Sequence, residues 1–109
     1  MLTRVDLKPA AVVFAFDSAP LHVRAGAVPI PTIAECGSGA RLRLPGTRAV
    51  AVHFTPAVTR GVPRRLSGPF ELVKFCDFEA DVAWAISLDG HGTFHVSRSG
   101  PTVTVSFDR

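Results

Sequence analysis

Tyrosine is absent from this chain of 109 residues, and cysteine (two), tryptophan (one) and methionine (one) are scarce. With so few phenols and thiols, little can release a proton between neutral pH and the lysine range. A pI of about 9.5 therefore coexists with a net charge of only +3. The high pI reflects missing titratable groups rather than a basic surface. It points to no nucleic-acid partner, because sequence-independent binders carry a denser basic stripe. No uncharged apolar run approaches the roughly 18 to 20 residues of a membrane helix. No charged-then-apolar leader is read, because Met1 runs almost directly into strand-like sequence. The two cysteines, Cys36 and Cys76, are too far apart for a C-x-x-C metal or redox motif.

What is present is apolar and rich in turns. Hydrophobic residues make up 47% and the mean hydropathy is +0.28, which excludes intrinsic disorder. Nine glycines and nine prolines in so short a chain argue against a helical bundle. The length suits one small soluble domain, residues 1–109, with a core of its own. Ten of the twelve cations are arginine, alongside abundant Ala, Val, Gly and Pro. That bias is the product of a GC-rich genome, so arginine is less diagnostic here than elsewhere.

Period-2 alternation recurs along the whole chain. Ala11 to Phe16 is a nearly continuous apolar strand, and Leu21 and Val23 alternate with His22 and Arg24. Val28 to Gly39 holds two prolines and two glycines and reads as a loop or irregular edge. Leu42 and Leu44 alternate with Arg41 and Arg43. Val50, Val52 and Phe54 fall on one face of a strand, with Ala49, Ala51 and His53 on the other. Residues 57–69 form the longest loop, after which Val73, Phe75, Val82, Trp84, Ile86, Phe94, Val96, Val103, Val105 and Phe107 mark further strands. About eight short strands with turns every 8 to 12 residues predict an all-β sandwich or barrel. Asp77 to Leu88 also fits a helix, with Asp77 as N-cap and Phe78, Val82 and Ile86 on one face, so its pattern leaves strand and helix open.

Signals for catalysis are weak. There is no G-x-S-x-G elbow to present a nucleophile, and Cys76 sits in a strand-like run where a buried, inert thiol is the usual finding. His91 and His95 have a spacing that ligates metal from one helix face, but Gly92 and the alternation put them on a turn and a strand, with His53 as a conceivable third ligand. Asp77, Glu79 and Asp81 would share one face of an extended chain, where they read as a solvated strand edge that discourages pairing. Trp84 shares a face with Val82 and Ile86 and reads as core. No catalytic residue, metal ligand or cofactor is assigned. Cys36 and Cys76 would close a long loop in an oxidising compartment, for about 3–4 kcal/mol, or remain two thiols in a reducing one. The candidate binding residues are Arg41, Arg43, Arg60, Arg64 and Arg65, whose guanidinium groups suit carboxylates and phosphates bidentately.

Those residues lie within an ordered set that carries a resemblance. Gly37-Ser38-Gly39, Leu44-Pro45-Gly46, Val50-Ala51-Val52 and Thr55-Pro56-Ala57 are followed by Pro63-Arg64-Arg65-Leu66, Asp77-Phe78-Glu79, the run Val82 to Leu88, Phe94-His95-Val96 and the closing Pro101 to Asp108. In order and rough spacing this resembles the AMIN-like domain of actinobacterial envelope proteins and lipoproteins, over roughly residues 11–109. The resemblance implies a two-sheet β-sandwich, with Asp77 to Leu88 as strand. It also implies a non-catalytic, usually exported module related to the one that helps direct wall hydrolases to peptidoglycan. The chain departs from the family where Ala80 replaces the usual glycine, and in the uncharged strand Ala11 to Phe16. The expected function is recognition of peptidoglycan or an associated anionic wall polymer in the cell envelope, with the cytoplasm left open as a location. Two rivals are a protein-interaction module that pairs through a strand edge such as Pro29 to Ile33, and a small metalloenzyme using His53, His91 and His95.

Overall fold

The computed structural model describes residues 1–88 and 93–108, and in them every regular element but one short 3-10 turn is a strand. In chain order these are β1 (Leu2–Lys8), β2 (Ala11–Phe16), β3 (His22–Pro29), the turn Ile30–Thr32, β4 (Arg48–Thr55), β5 (Arg65–Ser67), β6 (Glu71–Phe78), β7 (Asp81–Ser87), β8 (Phe94–Ser99) and β9 (Thr102–Phe107). They form two antiparallel sheets, β1-β2-β9-β8 and β3-β4-β7-β6-β5. The protein is an all-β, two-sheet sandwich. β1 and β9 both run antiparallel to β2, so they point the same way, and β1 begins at the end of the sheet opposite to where β9 stops.

Alternation explains how the sheets stack. Phe14, Val50, Val52, Phe54, Val82, Trp84, Ile86, Val103 and Val105 face inward and form one cluster with at most 1% of any side chain exposed. Phe14 lies 4.9 Å from Phe54 and 6.1 Å from Trp84, both tilted, the geometry that aromatic quadrupoles favour. Burial of each such side chain stabilises by about 1.5–3 kcal/mol before entropy is counted.

The second face of the five-stranded sheet is apolar as well. Ala49, Val73 and Ala85 on that outer face gather Ile30, Ile33 and Leu42 from the segment between β3 and β4, with Val28, Leu44 and Phe75 at the margin. The register of β6 shifts between Lys74 and Cys76. Val73 and Phe75 join the outer cluster as alternation requires, and the bulge at Phe75 turns Cys76, opposite Ala83, to the same face, where it meets the segment that covers it.

Three local readings of the sequence need correction. Asp77 to Leu88 is neither one helix nor one strand: it holds the end of β6, a two-residue turn at Glu79-Ala80, and β7. Both turn residues have positive φ, 51° and 63°, the conformation of a type I′ hairpin that normally selects Asn and Gly. The Ala57 N–H donates to the Ala80 carbonyl at 2.8 Å and helps hold that turn. Arg41 to Leu44 is not a strand, since only Arg41 bridges, to Ala34. The residues Leu2–Lys8 and Arg65–Ser67 are strands that alternation did not single out.

Candidate functional site

The segment from Ile30 to Gly46 crosses the outer face of the five-stranded sheet and is fastened along its length. The Ile30 N–H donates to Thr47 O at 2.9 Å, and Cys36 N–H to Phe75 O at 3.0 Å. Cys36 and Cys76 form a disulfide, with Cys36 exposed and Cys76 buried at the bulge. The Ser87 hydroxyl, itself buried, donates to Pro45 O at 2.7 Å. Glu35 N–H and Gly39 N–H close a tight turn on Ala40 O and Glu35 O, both at 2.9 Å. The thiol alternative for the cysteines is thereby replaced by a covalent staple.

This staple decides where the arginines go. Leu42 is 7% exposed and packs into the outer cluster with Leu44, which turns Arg41 and Arg43 to solvent without any strand pairing. The alternation in the sequence thus reports two faces of a strap, not of a strand. Arg64 forms an ion pair with Glu35 of the strap, so its charge is offset. Arg65, in β5, donates from its guanidinium to Arg43 O. Arg41, Arg43, Arg64 and Arg65 therefore share one edge of the molecule. No hydrogen bond or ion pair joins Arg60 to them among the described residues, and its backbone N–H donates to Leu2 O at 3.0 Å.

The other candidate constellations come apart. Asp77, Glu79 and Asp81 do not share an extended face, because the turn intervenes. Asp77 pairs with Lys74 at 2.9 Å, and Asp81 lies 3.5 Å from His53 Nδ1. His53 is on β4 and His95 on β8, in different sheets, and His91 lies outside the described residues. Among the described residues no three His, Cys, Asp or Glu side chains are placed to hold a metal ion. His95 Nε2 sits 2.9 Å from Asp108 Oδ2, and that contact, with the Thr93 hydroxyl, holds the Asp108 carboxyl below its ordinary value of 3.8. Pro29 to Ile33 is not a free strand edge: Pro29 ends β3, residues 30–32 turn, and Ile30 and Ile33 are each 6% exposed.

One feature was missed by sequence reasoning. Where the strap stops short of β3, the outer face carries two adjoining concavities of about 300 and 400 Å³ that share Val28, Ala51 and His53. The signal for them is Gly26, an isolated glycine inside a strand pattern, which often marks close approach of something to the backbone.

No family model, curated protein or solved structure matches this chain.

Proposed function

We propose that the protein is a non-catalytic binding module of the cell envelope that takes an anionic polymer, peptidoglycan or a polymer attached to it. One observation carries the reading: Arg41 and Arg43 point to solvent from a strap that a disulfide and the buried Leu42 fasten to the sheet. Among the described residues neither has an acidic partner. Arg65 adds its charge beside them. A fixed fork of donors loses less entropy on meeting carboxylate or phosphate than the same side chains on a mobile loop. The disulfide suits an oxidising compartment outside the cytoplasm, and the motif order resembling AMIN-like domains points the same way.

The test is co-sedimentation of the protein with isolated actinobacterial cell walls across a salt series. Exposed charges are screened over about 10 Å at 0.1 M salt, so binding is expected to weaken steeply as salt rises. Arg41→Glu with Arg43→Glu is expected to abolish it while leaving the fold intact. Pelleting that the double variant retains would overturn the assignment of the surface, and no pelleting at low salt would overturn wall binding itself.

A second reading has one observation in its favour. β8 is an edge strand on which every residue from His95 to Ser99 is exposed, so a protein partner could pair there rather than at Pro29 to Ile33. Mass that rises with concentration would favour that reading.

A further inference from the structure

The groove on the outer sheet face has the form of a ligand site distinct from the arginine edge. Its floor is set by cross-strand pairs of β3 and β4: Arg24 opposite His53, Gly26 opposite Ala51, Val28 opposite Ala49. The row runs along the strands for about 13 Å, at some 3.3 Å per residue. One end is cationic. Arg24 is exposed, and among the described residues it makes no ion pair. The flank across β4 towards the strap is mainly apolar, walled by Val28, Ile33 and Phe75 with Thr32 beside them.

Gly26 is the informative residue. Its φ is outside the left-handed range, and a Cβ built on it meets no atom within 4 Å. Neither backbone conformation nor crowding therefore requires glycine there, although glycine weakens a strand. What its missing side chain leaves is open space directly above the floor, between the cation and the apolar wall. His53, opposite Arg24, lines both concavities, its ring 5.6 Å from Phe75 and edge-on to it. His53 already faces an acidic neighbour, the Asp81 carboxylate 3.5 Å from its Nδ1, whereas Arg24 has none among the described residues. Recognition of an anion therefore falls to Arg24.

We infer that this groove binds a small amphipathic carboxylate, its anionic head on Arg24 and its hydrocarbon body over Gly26 and Ala51 towards Val28, Ile33 and Phe75. The match is one of charge and shape: an unpaired guanidinium on one flank, no Arg, Lys, Asp or Glu among the residues lining the other, and concavities of a few hundred Å³, the size of small-ligand pockets. The inference does not rest on wall binding.

The probe is 4-phenylbutyrate, with its neutral amide as control, titrated into the whole protein and followed by two-dimensional amide NMR. Saturable shifts are expected at residues 24–28 and 51–53, with a dissociation constant on the order of 1 mM for a ligand so small. Arg24→Gln is expected to weaken the acid by about three- to tenfold and erase its advantage over the amide. Gly26→Val fills the floor and is expected to abolish binding. Its melting temperature should be no lower than the parent's, because a β-branched residue suits the strand, which separates a filled groove from a lost fold. Three results would overturn the inference: no saturable shift, equal affinity for acid and amide, or unchanged binding in a folded Gly26→Val variant.

Discussion

Replacing both Cys36 and Cys76 by alanine removes the staple while keeping the buried Leu42 and half-buried Leu44 that seat the strap. The bridge spans a sequence separation of 40. The chain-entropy relation for a closed loop of that size gives roughly 13 cal/mol/K, or about 4 kcal/mol at 25 °C, of destabilisation of the unfolded state. Cys76 is 4% exposed, so trimming its sulfur leaves a small gap that adds about 1 kcal/mol more. A domain of this size is stable by only about 5–15 kcal/mol, so the loss is a large share of the total. Urea unfolding is the assay. The midpoint should fall, the slope should rise because the unlinked chain exposes more surface, and the melting temperature should drop by about 15–30 °C. Reduction of the parent protein should reproduce most of the effect without touching the sequence. A loss below about 1 kcal/mol with an unchanged slope would refute the reasoning, since it would mean that the loop between the cysteines is already restricted in the unfolded chain.

Two other expectations follow from local geometry. Glu79 and Ala80 both occupy positive φ in a two-residue hairpin turn, so Glu79→Asn with Ala80→Gly should stabilise by about 1–2 kcal/mol in the same urea assay; a destabilised variant would show that the two side chains do more than turn the chain. Asp108 has its carboxyl held below 3.8 by His95 first and Thr93 second. A depressed carboxyl contributes stability that is complete above its unfolded value and is lost as pH falls through the lower folded one. His95→Gln should move its titration midpoint, followed by carboxyl NMR, up towards 3.8, and an unmoved midpoint would remove His95 as the cause.

How far the sequence could be read depended on which physical signal a segment carried. The split of Val50, Val52 and Phe54 from Ala49, Ala51 and His53 appears in the fold as inner and outer faces of β4, and Trp84 is fully buried as its alternation implied. The hairpin within Asp77 to Leu88 was hidden because Glu79-Ala80 lacks the Gly or Asn that announces such a turn. Helical and extended patterns then competed over a stretch that was never one element. Arg41 to Leu44 misled for a related reason: a strap lying on an apolar face needs the same alternation as a strand, and only the missing hydrogen-bond partner tells them apart. The cysteine pair could not be decided from spacing, since joining residues so far apart is a matter of tertiary approach. Of the arginine set, the shared exposure of Arg41 and Arg43 was legible, though not their setting on a strap, and the Glu35 partner of Arg64 was not. The groove left only Gly26 as a trace.

The directions of β1 and β9 have a mechanical consequence. Because the two strands point the same way on either side of β2, tension along the chain enters the sheet at one end and leaves at the other. The ladders β1-β2 and β2-β9 are then loaded in shear, with their hydrogen bonds resisting together instead of unzipping one after another. In a protein strung between neighbours under pull, the four-stranded sheet would carry the force. The five-stranded sheet, which bears both the strap and the groove, would keep its shape.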